Sequence, residues 1–167
     1  MPVDLTIRPQ MVKDAEIFYR ILTTGGFEFF PVNVASLEAE KRFLRKNVKA
    51  WKDGEAFNFS VILNRQVIGA VGIMPESGRS YNAEIGYFIA REYQGHGHAS
   101  EALRLAEEYA VQFLPKIRRF HALIVVENFA SSAVVKKCGF SFEGCLKEYL
   151  KVGSGYFDAN LFSKIIR

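Results

Sequence analysis

Between residues 83 and 126 the sequence holds a strand, a glycine turn, a helix and a second strand, in that order. Residues 83–89 (AEIGYFI) read as strand. Residues 94–99 (QGHGHA) read as a turn. Residues 100–113 carry Leu103, Ala106 and Ala110 on one helical face, with Ala99 and Leu114 beside it, and Pro115 ends the run. Residues 120–126 form an apolar strand. Such a unit favours two parallel strands joined by a right-handed helical crossover. That feature directs the chain to an α/β class with a mixed sheet.

The remaining elements fit around it. Residues 3–8 alternate as a strand that Pro9 should end, and residues 13–22 repeat apolar groups at helical spacing. Residues 23–33 hold Gly25, Gly26, three phenylalanines and Pro31, and read as a loop. Ser36 is a helix N-cap, with the helix running to about Lys52 before Asp53-Gly54. Residues 57–63 and 66–74 form a hairpin about Asn64-Arg65. A turn over 75–80 follows. Residues 131–137 read as a short helix stopped at Gly139, and residues 140–150 and 156–165 as two last strands. The order is β-α-α-β-β-β-α-β-α-β-β, and the 167 residues suit one domain over 1–167.

Charge and composition narrow the function. The net charge is +4, with basic clusters at Lys41, Arg42, Arg45, Lys46, Lys49 and Lys52, and at Lys116, Arg118 and Arg119. No nucleic-acid motif accompanies them, so no nucleic-acid partner is expected. No apolar run nears about 18 residues, so no membrane span is expected. The start has no signal-type apolar core, and Cys138 and Cys145 suit free thiols in a reducing cytoplasm.

The turn itself has two readings. Helix N-termini expose unpaired N–H groups, and small residues at 95, 97 and 99 let an anion approach them. Alternatively the glycines only make a tight connection. The spacing is neither a Walker A loop nor the dinucleotide fingerprint G-x-G-x-x-G, since position 100 is Ser. His96 and His98 lack a partner set with metal spacing, so no metal is expected. They face solvent or a ligand; His121 reads as structural or exposed.

Gln94-Gly95-His96-Gly97-His98-Ala99, followed by Ser100-Glu101-Ala102-Leu103, resembles the Q/R-x-x-G-x-G/A signature of the GNAT superfamily of N-acetyltransferases. Further blocks agree in order. Leu5–Pro9 with Asp14-Ala15 resembles the family's opening, and Glu84-Ile85-Gly86-Tyr87 its central strand. Asn128 to Ser131, Lys137 to Phe140 and Glu143-Gly144 resemble its later cofactor region, and Tyr156-Phe157-Asp158 its terminal hairpin. The set is most similar to the branch that includes ribosomal-protein N-terminal acetyltransferases.

The resemblance implies acetyl-CoA as acetyl donor. Its pyrophosphate would sit on the backbone of Gln94, Gly95, His96, Gly97, His98, Ala99 and Ser100. Its pantetheine arm would lie between the two parallel strands, near Phe88 and Ile89, with Asn128 bonding the arm and Ser131 near the sulfur. The acceptor would be a primary amine, a peptide N-terminus or a small molecule, attacking directly in a ternary complex. A polyamine, amino-acid or antibiotic acceptor, or a catalytically weak coenzyme-binding regulator, is the alternative.

Amine acylation needs a neutral nucleophile, a donor to the carbonyl oxygen and a stabilised leaving thiolate. Glu84, flanked by apolar strand residues, is the candidate base, and Ser131 the candidate for assisting thiolate departure. The family commonly has a tyrosine seven positions after Asn128; here it is Val135. Cys138 reads as core packing rather than a nucleophile. Residues 24–34 and 151–156 are expected to set amine specificity, with Tyr87, Glu143 and Tyr149 as further pocket residues. The last two strands offer an edge for homodimerisation.

Overall fold

The computed structural model describes residues 4–30 and 34–166. Val3, and the Pro31–Asn33 part of the expected loop, lie outside the described residues. Eleven helices and strands occur in the expected order: β1 (Leu5–Pro9), α1 (Ala15–Thr23), α2 (Leu37–Asp53), β2 (Phe57–Leu63), β3 (Gln66–Glu76), β4 (Arg79–Ile89), α3 (His98–Phe113), β5 (Arg119–Val125), α4 (Phe129–Lys137), β6 (Ser141–Val152) and β7 (Gly155–Ile165). Short 3-10 turns precede α1 at Val12–Asp14 and α3 at Arg91–Tyr93.

Local chemistry explains the boundaries. Pro9 stays within β1 because β1 is an edge strand, where a missing N–H costs no ladder bond. Ser36 caps α2, its hydroxyl accepting from Ala39 N–H at 3.0 Å. Asn64 and Arg65 both have positive φ, 47° and 68°, as a two-residue hairpin turn of the twisted type requires. The expected turn over 75–80 is shorter: β3 and β4 both extend into it, through a register shift at Pro75/Glu76. That irregularity absorbs the proline, as bulges do. Helix α4 begins two residues earlier than expected, because the Asn128 side chain accepts from Ser131 N–H at 3.1 Å and caps it.

The seven strands form one sheet in the order β1-β2-β3-β4-β5-β7-β6. All neighbours are antiparallel except β4 and β5. Helix α3, the crossover between that parallel pair, lays Ala102, Leu103, Ala106 and Ala110 on one face of the sheet. The small alanines let it sit close. Helices α1 and α2 cover the other face, packing Phe18, Ile21 and Leu44 around Ala70 of β3. Phe59, Phe120 and Phe162 are at most 2% exposed, and burying each such ring stabilises the fold by about 2–3 kcal/mol. The basic residues of α2 lie on its outer side, where Arg45 pairs with Glu38 and Lys49 with Asp53. Among the described residues no helix is long and apolar enough to cross a membrane.

A half-buried ion pair fastens β1 to the 3-10 turn that leads into α1. The Asp14 carboxylate, 4% exposed, accepts both Arg8 guanidinium N–H groups at 2.7 Å, the Ser60 hydroxyl at 2.7 Å and Met11 N–H at 3.0 Å.

Candidate active site

Strands β4 and β5 pair over three rungs only: Asn82 with Arg119, Ala83 with Phe120 and Glu84 with His121. Beyond Glu84, β4 stays with β3 as far as Ile89, and β5 stays with β7 as far as Val125. The parallel pair therefore separates at its C-terminal end. Open α/β sheets bind ligands in such a gap.

A cleft of about 600 Å³ occupies this end of the sheet. Its first wall is the glycine turn. Gly97 is the N-cap of α3, at φ 85°, and no side chain caps the helix's first turn. Gly95 also has positive φ, 77°, a conformation that glycine adopts without a Cβ penalty. Among the described residues a Cβ at either glycine would meet nothing within 4 Å beyond its chain neighbours, so the backbone here stands open to the cleft. The turn is held from behind: the Gln94 side-chain amide donates to the Ile89 carbonyl at 2.8 Å. Such N–H groups and a helix dipole favour an anion over a cation.

The opposite wall is the start of α4, with Asn128, Ser131 and Val134, and Lys137 brings an ammonium to the same cleft. The floor is Tyr87, Phe88 and Ile89 of β4. Part of the loop over 23–33 closes the cleft. Phe27 and Phe30 meet Phe88 edge-on, with ring centres 6.0 and 5.5 Å apart, and Phe88 meets Phe18 at 5.5 Å. Phe29 reaches the C-terminal hairpin at Phe157, 6.4 Å away. So the aromatic loop both lines the cleft and fills the seam to α1. Glu28 lies exposed among these rings.

The structure gathers ten of the sequence-derived site residues at this cleft: Phe88, Ile89, Gln94, Gly95, Gly97, His98, Ala99, Ser100, Asn128 and Ser131. His96 is not among the lining residues; its ring stacks on His98 with centres 5.9 Å apart. Burial, and then the neighbouring His96, depress the His98 pKa, which favours the neutral ring. Glu84 also lies outside the lining. It stands on the last paired rung below the gap, level with His121.

Two further residues belong elsewhere. Glu143 forms a bidentate pair with Arg119 and accepts from the Ser163 hydroxyl, which together hold its carboxyl down to about 2. Tyr149 is 57% exposed on β6. Cys138 packs against the core with its sulfur 3.7 Å from the Ser100 carbonyl, and burial pushes its thiol up, away from nucleophilic use. Among the described residues no group of three or more histidine, cysteine or acidic side chains could hold a metal.

Lys137 falls in a block that resembles the family's cofactor region, but no sequence signal assigned its side chain a role at the cleft. A lysine in the last turn of a helix reads as a dipole partner, and only the fold brings it to the cleft that the start of α3 also lines. The meeting of Tyr87 with Ser131 was equally hidden: the phenol donates to the Ser131 carbonyl at 3.2 Å across 44 residues of chain.

A splayed parallel pair headed by an uncapped glycine-turn helix is the arrangement expected from the GNAT signature. The acetyltransferase (GNAT) domain model matches residues 4–141. The chain belongs to the GNAT acetyltransferase family. Among its relatives, the ribosomal-protein-serine acetyltransferase of Escherichia coli (strain K12) is 33% identical over 138 residues, covering 82% of this chain and 76% of that protein. The fold matches the apo RimL ribosomal L7/L12 alpha-N-protein acetyltransferase with a TM-score of 0.89 at 23% identity, over 99% of this chain and 92% of that one. A second RimL structure, in complex with coenzyme A, matches with a TM-score of 0.87 at 25% identity, over 99% of this chain and 96% of that one.

Proposed function

We propose that this GNAT acetyltransferase moves the acetyl group of acetyl-CoA to the N-terminal amine of a protein or peptide, by direct attack in a ternary complex. The observation that carries the reading is the separation of β4 from β5, with the free end of β4 lining the same cleft as the uncapped first turn of α3. The peptide acceptor is supported by the E. coli relative and the RimL fold match, both named as ribosomal-protein acetyltransferases.

The residues present fit the donor. The open glycine backbone and first-turn N–H groups suit a pyrophosphate, and Lys137 adds a cation for a further phosphate. A phosphate held against His98 would favour its protonated form. Asn128 uses its carbonyl oxygen to cap α4, leaving its amide N–H groups for the pantetheine arm. Phe88 and Ile89 floor the gap. Acetyl-CoA supplies an acyl group already activated as a thioester, so the protein's tasks are positioning and proton transfer.

In this account Glu84 takes the proton of the attacking amine, directly or through water. Ser131 stabilises the leaving thiolate. Phe27, Phe29, Phe30 and Glu28 wall the acceptor side, the carboxylate attracting the ammonium form before it loses its proton. A cytoplasmic setting belongs to the same proposal. So does a homodimer contact at the β6 edge, where Phe142 is 56% exposed.

The variant Glu84→Gln tests the base assignment. It should lower kcat by about a hundredfold while leaving acetyl-CoA affinity unchanged. Full activity in this variant would assign the proton to bulk water or another group.

A further inference from the structure

Helix α4 presents one hydroxyl to the cleft, that of Ser131, while Val135 one turn later is fully buried at 0% exposed. A second hydroxyl enters from β4. Tyr87 lines the same cleft, and the only hydrogen bond its phenol makes among the described residues is the 3.2 Å contact to the Ser131 carbonyl. That distance is long for an O–H···O bond, which makes the proton free to turn to a better acceptor.

Strand alternation fixes how the two candidate groups on β4 are divided. Residues 84 to 89 pair with β3 in unbroken register, so Glu84 and Tyr87 point to opposite faces of the sheet. Tyr87 faces the α3–α4 side and packs against the core there. Phe88, on the same face as Glu84, packs with Phe18 and Phe27 on the α1 side. An acyl group held in the gap would thus meet the carboxylate's face on one side and two hydroxyls on the other.

We propose that the Tyr87 phenol donates a hydrogen bond to the coenzyme sulfur as the carbon–sulfur bond breaks, acting beside Ser131. The inference rests on the coenzyme site proposed above. The amine nitrogen bonds to the carbonyl carbon, and the carbonyl π pair moves onto oxygen. When that pair returns, the carbon–sulfur pair leaves on sulfur. The amine's surplus proton, removed by Glu84 or water, finally protonates the thiolate through solvent, giving amide and free thiol.

Burial pushes the Tyr87 phenol up to about 12. A cysteine thiol ionises at about 8.5 and an unactivated alkyl thiol somewhat higher, both below this phenol, so the phenol holds its proton and shares it with the thiolate rather than surrendering it. A donor of this kind stabilises the developing charge without itself ionising.

The test reads the sulfur directly, by titrating the thiolate ultraviolet absorbance of coenzyme A bound to the wild-type protein and to Tyr87→Phe. The bound thiol should ionise about one pH unit lower in the wild type, a shift expected of a single donor. The kcat of Tyr87→Phe should fall about tenfold, with the affinity for coenzyme A unchanged. A purely structural role would not move the thiol's titration. If Tyr87→Phe fails to fold, 3-fluorotyrosine in place of Tyr87 supplies a more acidic phenol and should lower the thiol's ionisation further. Identical titration across these proteins overturns the proposal alone. Failure of coenzyme A to bind the wild-type protein overturns both the proposal and the coenzyme site beneath it.

Discussion

Gly97→Glu should weaken acetyl-CoA binding by at least about a hundredfold, as read by calorimetric titration. Two effects separate here. Gly97 has φ 85°, so any side chain there is strained, by about 1–2 kcal/mol. That strain is present with and without ligand, and so it lowers stability rather than affinity. The affinity falls because the new carboxylate stands where a pyrophosphate should sit. Two unit charges about 4 Å apart repel by about 4 kcal/mol at the effective dielectric of a protein surface. Among the described residues nothing beyond the chain neighbours lies within 4 Å of a Cβ at this position, so the fold has room for the substitution. Gly97→Ala is the control: it should lose about 1 kcal/mol of stability and less than about tenfold in affinity. Wild-type affinity in Gly97→Glu would remove the phosphates from this turn.

Asp14→Ala should cost about 3 kcal/mol of stability, the lower end for breaking a buried ion pair. The lower end applies because Arg8 is 30% exposed and regains water once its partner is gone. The Ser60 hydroxyl and Met11 N–H also lose their acceptor. Acid should reproduce part of the effect. Burial alone would raise the Asp14 carboxyl, but its hydrogen bonds from Arg8, Ser60 and Met11 outweigh that and hold it below the ordinary range. A depressed carboxylate contributes stability that is complete above its unfolded value, about 3.9, and is lost as pH falls through the folded value. The stability gap between the wild type and Asp14→Ala should therefore be constant near neutrality and narrow below about pH 4. Urea unfolding across this range measures it. A gap below about 1 kcal/mol at neutral pH would show that the pair is offset by its own desolvation.

The two predictions differ in how far their residues could be read from the chain alone. Gly97 was legible, because two glycines before an apolar-periodic helix announce a strand-to-helix turn. Its partner β5 was legible too, since an apolar strand after that helix has to pair in parallel. Asp14 was not. Its acceptor role depends on Ser60, which lies 46 residues away and meets it only after β1 docks on β2. The resemblance implied the splay, but the rung at which it begins was hidden for a similar reason. Nothing in residues 83–89 or 119–125 marks where their pairing stops; the separation comes from β4 following β3 while β5 follows β7. The turn over 75–80 was overestimated because Pro75 suggested a break, whereas a register shift accommodates it inside β3. Tyr87 carried a family resemblance but no local sign of its contact with Ser131.

The central claim is that acetyl-CoA and an N-terminal amine react in the β4–β5 gap. Its most direct test uses a short peptide with both a free N-terminus and an internal lysine, offered beside polyamine, amino-acid and aminoglycoside acceptors. The protein is incubated with acetyl-CoA, and the site of acetylation is located by fragment mass spectrometry. The account predicts a single acetyl group on the peptide's α-amine, matched by free thiol and absent from Gly97→Glu. Acetylation confined to the small amines, or thiol-free retention of the donor with every acceptor, would contradict it.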